Sequence, residues 1–345
     1  MFATPRTLPS SAATCEPADL NTLIGWHARY AVNPSSLAAL TSMTWTLRLP
    51  GQDGGLGLTR IGGVLVASGE PLAPPSAWPA LAGALIDLAG LVGARPCVVP
   101  VGAEYAATLQ GVGLRTVRLG STPYVHLQDW PARGNAGAGV RAAVNRARRD
   151  ALVMREVGQE RGAPGWQAEV QALATDWLRR RRAHITFRWI FELRPLVFSD
   201  HKRYFEARCS NRLVGLIAAS PLPGRSGWYL EDVLRAEAAP ASTNTALVAF
   251  ALGALRASGA RLATLGGVPL ARQRGWDDAA VSAPERLAYH LRPALSLLYD
   301  FGGLETFKRR FGPAHWENEF VALPQDLGGL IVGGVAVTRL ILRGR

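Results

Sequence analysis

The sequence predicts an α+β protein of two related units, each a mixed sheet flanked by helices. Three observations carry this. The 345 residues are 48% hydrophobic and 19% charged, which suffices for two domains of ordinary size. Short β-like runs bounded by glycine alternate with helical apolar periods along the chain. The order meander, helix, strand occurs twice, as two diverged copies of one unit would show, although no repeat is visible letter by letter.

Residues 1–18 are rich in proline, serine and alanine and are expected to be disordered. The first unit is assigned to 19–155. In it, "TWTLRLPGQDGGLGLTRIGGVLVASGEPL" (44–72) reads as a small meander turned by glycines. "SAWPALAGALIDLAGLVGA" (76–94) places Leu81, Leu85, Leu88 and Leu91 at helical spacing, with glycine just past the end. "PCVVPV" is a buried strand, "AEYAATLQGVG" a helix ending at its glycines, and "RTVRLGSTPYVHL" a strand pair. "GNAGAGVRAAVNRARRDAL" (134–152) is a glycine-rich loop that becomes a helix.

The second unit, 156–325, begins with the amphipathic helix "APGWQAEVQALATDWLRRRRA" (163–183). Strands follow around "YFEARCSNRLVGLIAASPL" and "GWYLEDVLRA", then the helix "STNTALVAFALGALRASGA", started by a Ser/Thr cap, and the strand "RLATLGGVPL". The tail 326–345 is expected to form an apolar helix, lying on a bilayer or packed on the second unit.

The formal net charge is +12 and the pI about 10.5, a surplus that suits an anionic partner, nucleic acid or an acidic membrane face. No stretch reaches the ~18 uncharged apolar residues of a spanning helix, and no secretory signal opens the chain. A cytoplasmic protein is expected, peripheral at most to the inner face of the membrane. Cys15, Cys97 and Cys209 read as reduced thiols. The six histidines lack HxxxH or HExxH spacing, so no metal is expected.

Of 38 basic residues only Lys202 and Lys308 are lysine. Lys308 lies beside a stripe of Leu304, Phe307 and Phe311, where a compact ammonium can approach a phosphate or a developing oxyanion. Five arginines and no acid occur from Arg133 to Arg149. Arg141, Arg148 and Arg149 fall near one helical face behind a glycine-rich loop, an arrangement for phosphate rather than a merely solvated face. The four arginines at 179–182 point all round a helix and read as a solvated end. Asp232 and Arg235 stand at the end of a strand, a weak signal alone, since an ordinary surface ion pair would look the same. No serine sits in a GxSxG elbow, and "RGNAGAG" is one place out of step with an acetyl-CoA pyrophosphate loop.

The run "LYDFGGLETFKRRFGPAHWENEFVAL", with "DVLR", "LGGVPLA" and "VRAAVNRARRDAL" before it, resembles the cytoplasmic C-terminal domain of the multiple-peptide-resistance-factor proteins. These are the phosphatidylglycerol lysyltransferases and alanyltransferases, with stand-alone relatives in the DUF2156 group. The resemblance spans roughly residues 33–323. It implies tandem acetyltransferase-like (GNAT, Fem-like) folds and transfer of an aminoacyl group from aminoacyl-tRNA to a hydroxyl of a phosphatidylglycerol-type lipid. Aminoacyl-tRNA is then a co-substrate, no further cofactor is implied, and an anionic phospholipid surface is the other partner. Lys308 matches the family's Phe-Lys lysine, Asp232 and Arg235 its Asp-x-x-Arg, and Arg141 the arginine opening its basic helix. On this reading Lys308 is a cation beside the oxyanion or a tRNA phosphate, Asp232 holds the aminoacyl ammonium, and Arg235 positions a phosphate. Arg148, Arg149 and Arg310 complete the phosphate contacts, and the general base is not evident. Transfer to a non-lipid acceptor as in the Fem relatives, a non-catalytic tRNA- or membrane-binding module, and an acyl-CoA acetyltransferase remain as alternatives.

Overall fold

The structure, a computed structural model, describes residues 6–7, 13–34, 36–131, 134–180, 193, 195–269, 271 and 300–326. The first unit begins with β1 (Arg6–Thr7) and β2 (Thr14–Pro17), followed by α1 (Leu20–Tyr30) and α2 (Ser36–Ala39). Asp19 caps α1, its carboxylate accepting from the Thr22 amide at 2.9 Å. Strands β3 (Trp45–Arg48), β4 (Leu56–Ile61) and β5 (Val64–Ala67) then form the expected antiparallel meander. All four residues of β5 are buried, as a strand covered on both faces requires. Helix α3 (Trp78–Leu91) crosses over and delivers β6 (Arg95–Val101) parallel to β5. Leu81, Leu85 and Leu88 of α3 are buried, whereas Leu91 at its end is 48% exposed. Helix α4 (Ala103–Gly111) leads into β7 (Leu114–His126).

The second unit repeats this plan. After α5 (Ala138–Arg149), β8 (Val153–Val157) and α6 (Pro164–Arg180) come β9 (Arg203–Cys209), β10 (Arg212–Leu222) and β11 (Gly227–Arg235), a second antiparallel meander. Helix α7 (Thr243–Ala257) crosses to β12 (Leu262–Thr264), parallel to β11. The chain then makes β13 (Val268–Pro269), α8 (Phe301–Arg309) and β14 (His315–Pro324). Strand β14 lies between β6 and β7, so the two units share one sheet of 14 strands among the described residues. One core lies under α3 and α4, with Leu47, Leu85, Val98 and Tyr105. A second lies under α5 and α7, with Trp130, Phe205, Leu247 and Phe311.

Several sequence expectations change. Residues 14–17, assigned to a disordered terminus, form β2 against β3, and Cys15 within it is buried. "RTVRLGSTPYVHL" is one long strand rather than two. It passes through Gly120, where the Val268 carbonyl leaves no room for a side chain. The boundary after residue 155 does not follow the packing: Val140 and Ala147 of α5 enter the core with α7, and β8 pairs with β9. Ser242 precedes α7 but makes no cap; its hydroxyl donates to Asp150 at 3.2 Å. "RLATLGGVPL" is interrupted between β12 and β13. The tail 327–345, Arg133 and residues 181–182 lie outside the described residues.

Candidate active site

Parallel strands that diverge leave a crevice at their carboxyl ends, a usual place for a ligand. Strands β11 and β12 run paired from Gly227–Leu262 to Tyr229–Thr264 and then separate. Strand β11 continues along β10, while the other chain turns at Leu265–Gly267 and rejoins β7 as β13. Gly266, at φ +76°, makes that turn, and a Cβ there would come 2.6 Å from the Tyr229 ring. The Tyr229 ring therefore packs directly on the glycine backbone.

Lys308 stands on α8 and reaches this turn. It is 6% exposed, and its ammonium donates to the carbonyls of Gly266 and Gly267 at 2.7 and 2.8 Å. Asp300 caps the helix, accepting from the Gly303 amide, and the fully buried Phe311 anchors its far end against Phe307 and Trp130. Lys308 was expected at the edge of the apolar stripe; the structure places it inside. Burial lowers its pKa from the ordinary 10.5 to about 7, only partly opposed by the negative charge of Glu319. Glu319 of β14 accepts from Thr122 at 2.6 Å, and burial raises its own pKa. A Cβ on Gly267 would meet that carboxylate at 2.6 Å, so the lysine and the glutamate flank the same glycine.

The side of the sheet that Asp232 faces is set by an irregular register. Ala219 faces Leu230 and Ala218 faces Asp232 across β10–β11, which leaves Glu231 as an extra, bulged residue. A bulge reverses the alternation of side chains beyond it. Leu230 accordingly enters the α7 core, while Leu234 enters the core under α6 with Tyr204 and Leu216. Without the extra residue both leucines would share a face. Asp232 follows Leu234 to the α6 side. It is 6% exposed, and its Oδ2 has no hydrogen-bond partner. Burial first, and the adjacent Glu231 second, hold this carboxyl well above the usual carboxylate range, with Lys202 opposing them.

Next to it, Lys202 pairs with Glu231 at 3.1 Å, the two side chains 2% and 7% exposed, and the Ser220 hydroxyl donates to the same carboxylate oxygen. Sequence reasoning passed over Lys202 and Glu231. The available signal was composition: the two lysines of an arginine chain are both buried, whereas no arginine is buried among the described residues.

The predicted phosphate contacts divide. Arg148, Arg149 and Arg310 are exposed and make no ion pair among the described residues, while Arg141 turns back on its own loop to the Gly134 carbonyl at 2.6 Å. Phe311, next to Arg310, belongs to the same core as Val140 of α5. Arg235 ends β11 apart from these. It lines an open cleft with Trp177, Arg180 and Asn244 near the start of α7, and a buried Asn244 oxygen there has no partner.

The fold is thus a doubled meander–helix–strand unit, with a buried lysine at the splayed strands of its second copy. The chain belongs to the family described as phosphatidylglycerol lysyltransferase, C-terminal, which it matches over residues 28–323. It superposes on the C-terminal domain (DUF2156) of a putative lysylphosphatidylglycerol synthetase from Agrobacterium fabrum with a TM-score of 0.79. The two are 19% identical over 94% of this chain and 98% of that one. L-PGS from Bacillus licheniformis gives the same score and identity over 95% and 99%. FemX gives 0.52 at 12% identity, over 89% of this chain and 96% of its own, so the Fem-type fold is shared. In sequence, the bifunctional lysylphosphatidylglycerol biosynthesis protein LysX of Mycolicibacterium gilvum is 35% identical over 115 residues. That is 33% of this chain and 10% of LysX, so the chain spans only a small part of such relatives.

Proposed function

We propose that the protein moves an aminoacyl group from aminoacyl-tRNA to a hydroxyl of phosphatidylglycerol or a related lipid, working at the anionic face of a membrane. The observation that carries this is the lysine buried at the splayed strands of a phosphatidylglycerol lysyltransferase-type domain. Exchange of one ester for another is nearly isoenergetic, so the site must supply alignment, a proton path and charge stabilisation. With a pKa near 7, Lys308 is poised to do what the sequence left unassigned. As the neutral amine it keeps two N–H bonds on the Gly266 and Gly267 carbonyls and presents its lone pair to the acceptor hydroxyl. Taking that proton makes it the ammonium beside the tetrahedral oxyanion as the new C–O bond forms. When the bond to the tRNA ribose breaks, the proton passes to the leaving ribose oxygen. The predicted cation is thus the second state of the base.

Asp232 holds the aminoacyl ammonium on its unpartnered oxygen, and the arriving cation favours its ionised form. Arg235, with Asn244 in the cleft, takes a phosphate of lipid or tRNA. Arg148, Arg149 and Arg310 track the tRNA backbone, and the +12 charge draws both substrates. Incubating the purified protein with labelled aminoacyl-tRNAs and phosphatidylglycerol vesicles should carry label into the organic phase, and RNase should abolish it. Label in a water-soluble product other than tRNA would indicate a different acceptor. Transfer from none of the aminoacyl-tRNAs would overturn the proposal.

A further inference from the structure

We infer that the buried Lys202–Glu231 pair makes this site select an aminoacyl donor with an uncharged side chain and reject a cationic one. The inference rests on the proposed role of Asp232. Two adjacent carboxylates on one strand face would ordinarily suit a guest with two ammonium groups, such as a lysyl ester. Here the bulge sets Glu231 and Asp232 side by side, but the chain supplies one of the two cations itself. Lys202 Nζ lies 3.1 Å from the Glu231 carboxylate, which also accepts from the Ser220 hydroxyl. The pair is fixed: Lys202, just before β9, is only 3% exposed, and Ser220 sits in β10 opposite Tyr229 of β11.

What remains for a guest is the single unpartnered Oδ2 of Asp232, an acceptor for one ammonium. Tyr204 packs on this same face, and its hydroxyl donates to the Pro195 carbonyl at 2.6 Å, so it brings no negative charge for a second cation. Once the arriving α-ammonium favours the ionised form of Asp232, the cluster of Lys202, Glu231 and Asp232 carries one net negative charge, which that ammonium neutralises. A side-chain ammonium or guanidinium would then stand near Lys202 in a poorly hydrated site, where like charges repel strongly. A neutral side chain meets no such barrier. This chain would therefore differ in its donor from relatives whose names specify lysyl transfer.

The test uses unreactive analogues of the donor, alaninamide and lysinamide, titrated into the full chain by calorimetry, beside transfer assays with alanyl- and lysyl-tRNA. The wild type should bind alaninamide at least tenfold more tightly than lysinamide and transfer alanyl in preference. Lys202→Met, which frees the Glu231 carboxylate, should shift the ratio of affinities at least tenfold toward lysinamide. Where that variant fails to fold, Lys202→Met with Glu231→Gln removes both charges together and should still narrow the discrimination. Tighter lysinamide binding by the wild type, or a ratio unmoved in folded variants, overturns the inference. Lysyl transfer in preference to alanyl would overturn it while leaving the aminoacyltransferase reading intact. No transfer and no amide binding would remove both.

Discussion

Replacing Lys308 by methionine should make the difference in stability between variant and wild type depend on pH. An ordinary lysine loses its proton near 10.5, whereas Lys308 does so near 7. The folded protein therefore binds fewer protons than the unfolded chain between those values, and stability rises with pH across that window. Below pH 7 both states are protonated and the full cost of the buried ammonium is present, about 5 kcal/mol for the whole displacement at ~1.4 kcal/mol per pH unit. From pH 7 to pH 9 the wild type recovers roughly 2.7 kcal/mol of it. Lys308→Met has no such term. It also leaves the Gly266 and Gly267 carbonyls unsatisfied, a penalty of about 1–3 kcal/mol each that is the same at either pH. Urea unfolding followed by tryptophan fluorescence at pH 6 and pH 9 isolates the ammonium. The variant should lose roughly 2.7 kcal/mol relative to wild type on going to the higher pH. A control in the Glu319→Gln background removes the one opposing charge and should enlarge the difference. A stability difference unchanged by pH would mean the amine titrates normally, and the argument for its role as a base would go with it.

Transfer should rise with pH through about 7 as Lys308 is deprotonated, and Lys308→Arg should abolish it while leaving tRNA binding intact, because a guanidinium does not lose its proton. Asp232→Asn should abolish transfer yet raise stability at neutral pH. The raised carboxyl binds a proton more tightly folded than unfolded, so stability is lost as pH rises above the ordinary carboxylate range, and asparagine is free of that loss. Gly266→Ala should cost about 1–3 kcal/mol through the left-handed backbone alone, and displace Tyr229 as well, read by thermal unfolding. Arg148→Ala with Arg149→Ala should weaken tRNA binding and lower the slope of log affinity against log salt by about 1–2, with no change in the lysine titration.

The doubled plan was legible because periodicity is local: the glycine-turned meander of 44–72 and the leucine spacing of 76–94 need no knowledge of the rest of the chain. Lys308 was legible for a different reason, its rarity against arginine. The allegiance of α5 and the insertion of β14 between β6 and β7 were not, since both depend on pairing between residues far apart in sequence. Nor was the bulge at Glu231. One extra residue in a strand leaves no composition signal, yet it decides which side of the sheet Asp232 faces. Glu319 was hidden by the same kind of cause. Its partners come from distant parts of the chain, Thr122 donating to its carboxylate and Gly267 lying close beside it.

The division between arginine and lysine follows from what each site must do. A guanidinium stays charged in any protein environment and brings five donors that need acceptors, which suits exposed positions and penalises deep burial. No arginine is buried among the described residues, in keeping with that cost. At Lys202 a compact ammonium pairs with the buried Glu231 carboxylate. At Lys308 the proposed role is stricter, since a base must give up its proton near neutral pH, and only an amine with its pKa lowered by burial can. A chain in which arginine supplies every permanent surface charge therefore needs lysine at the one position where the charge has to come and go. The same reasoning makes the two positions unequal. Lys202→Arg should disturb packing and donor choice, whereas Lys308→Arg should remove the proton transfer itself.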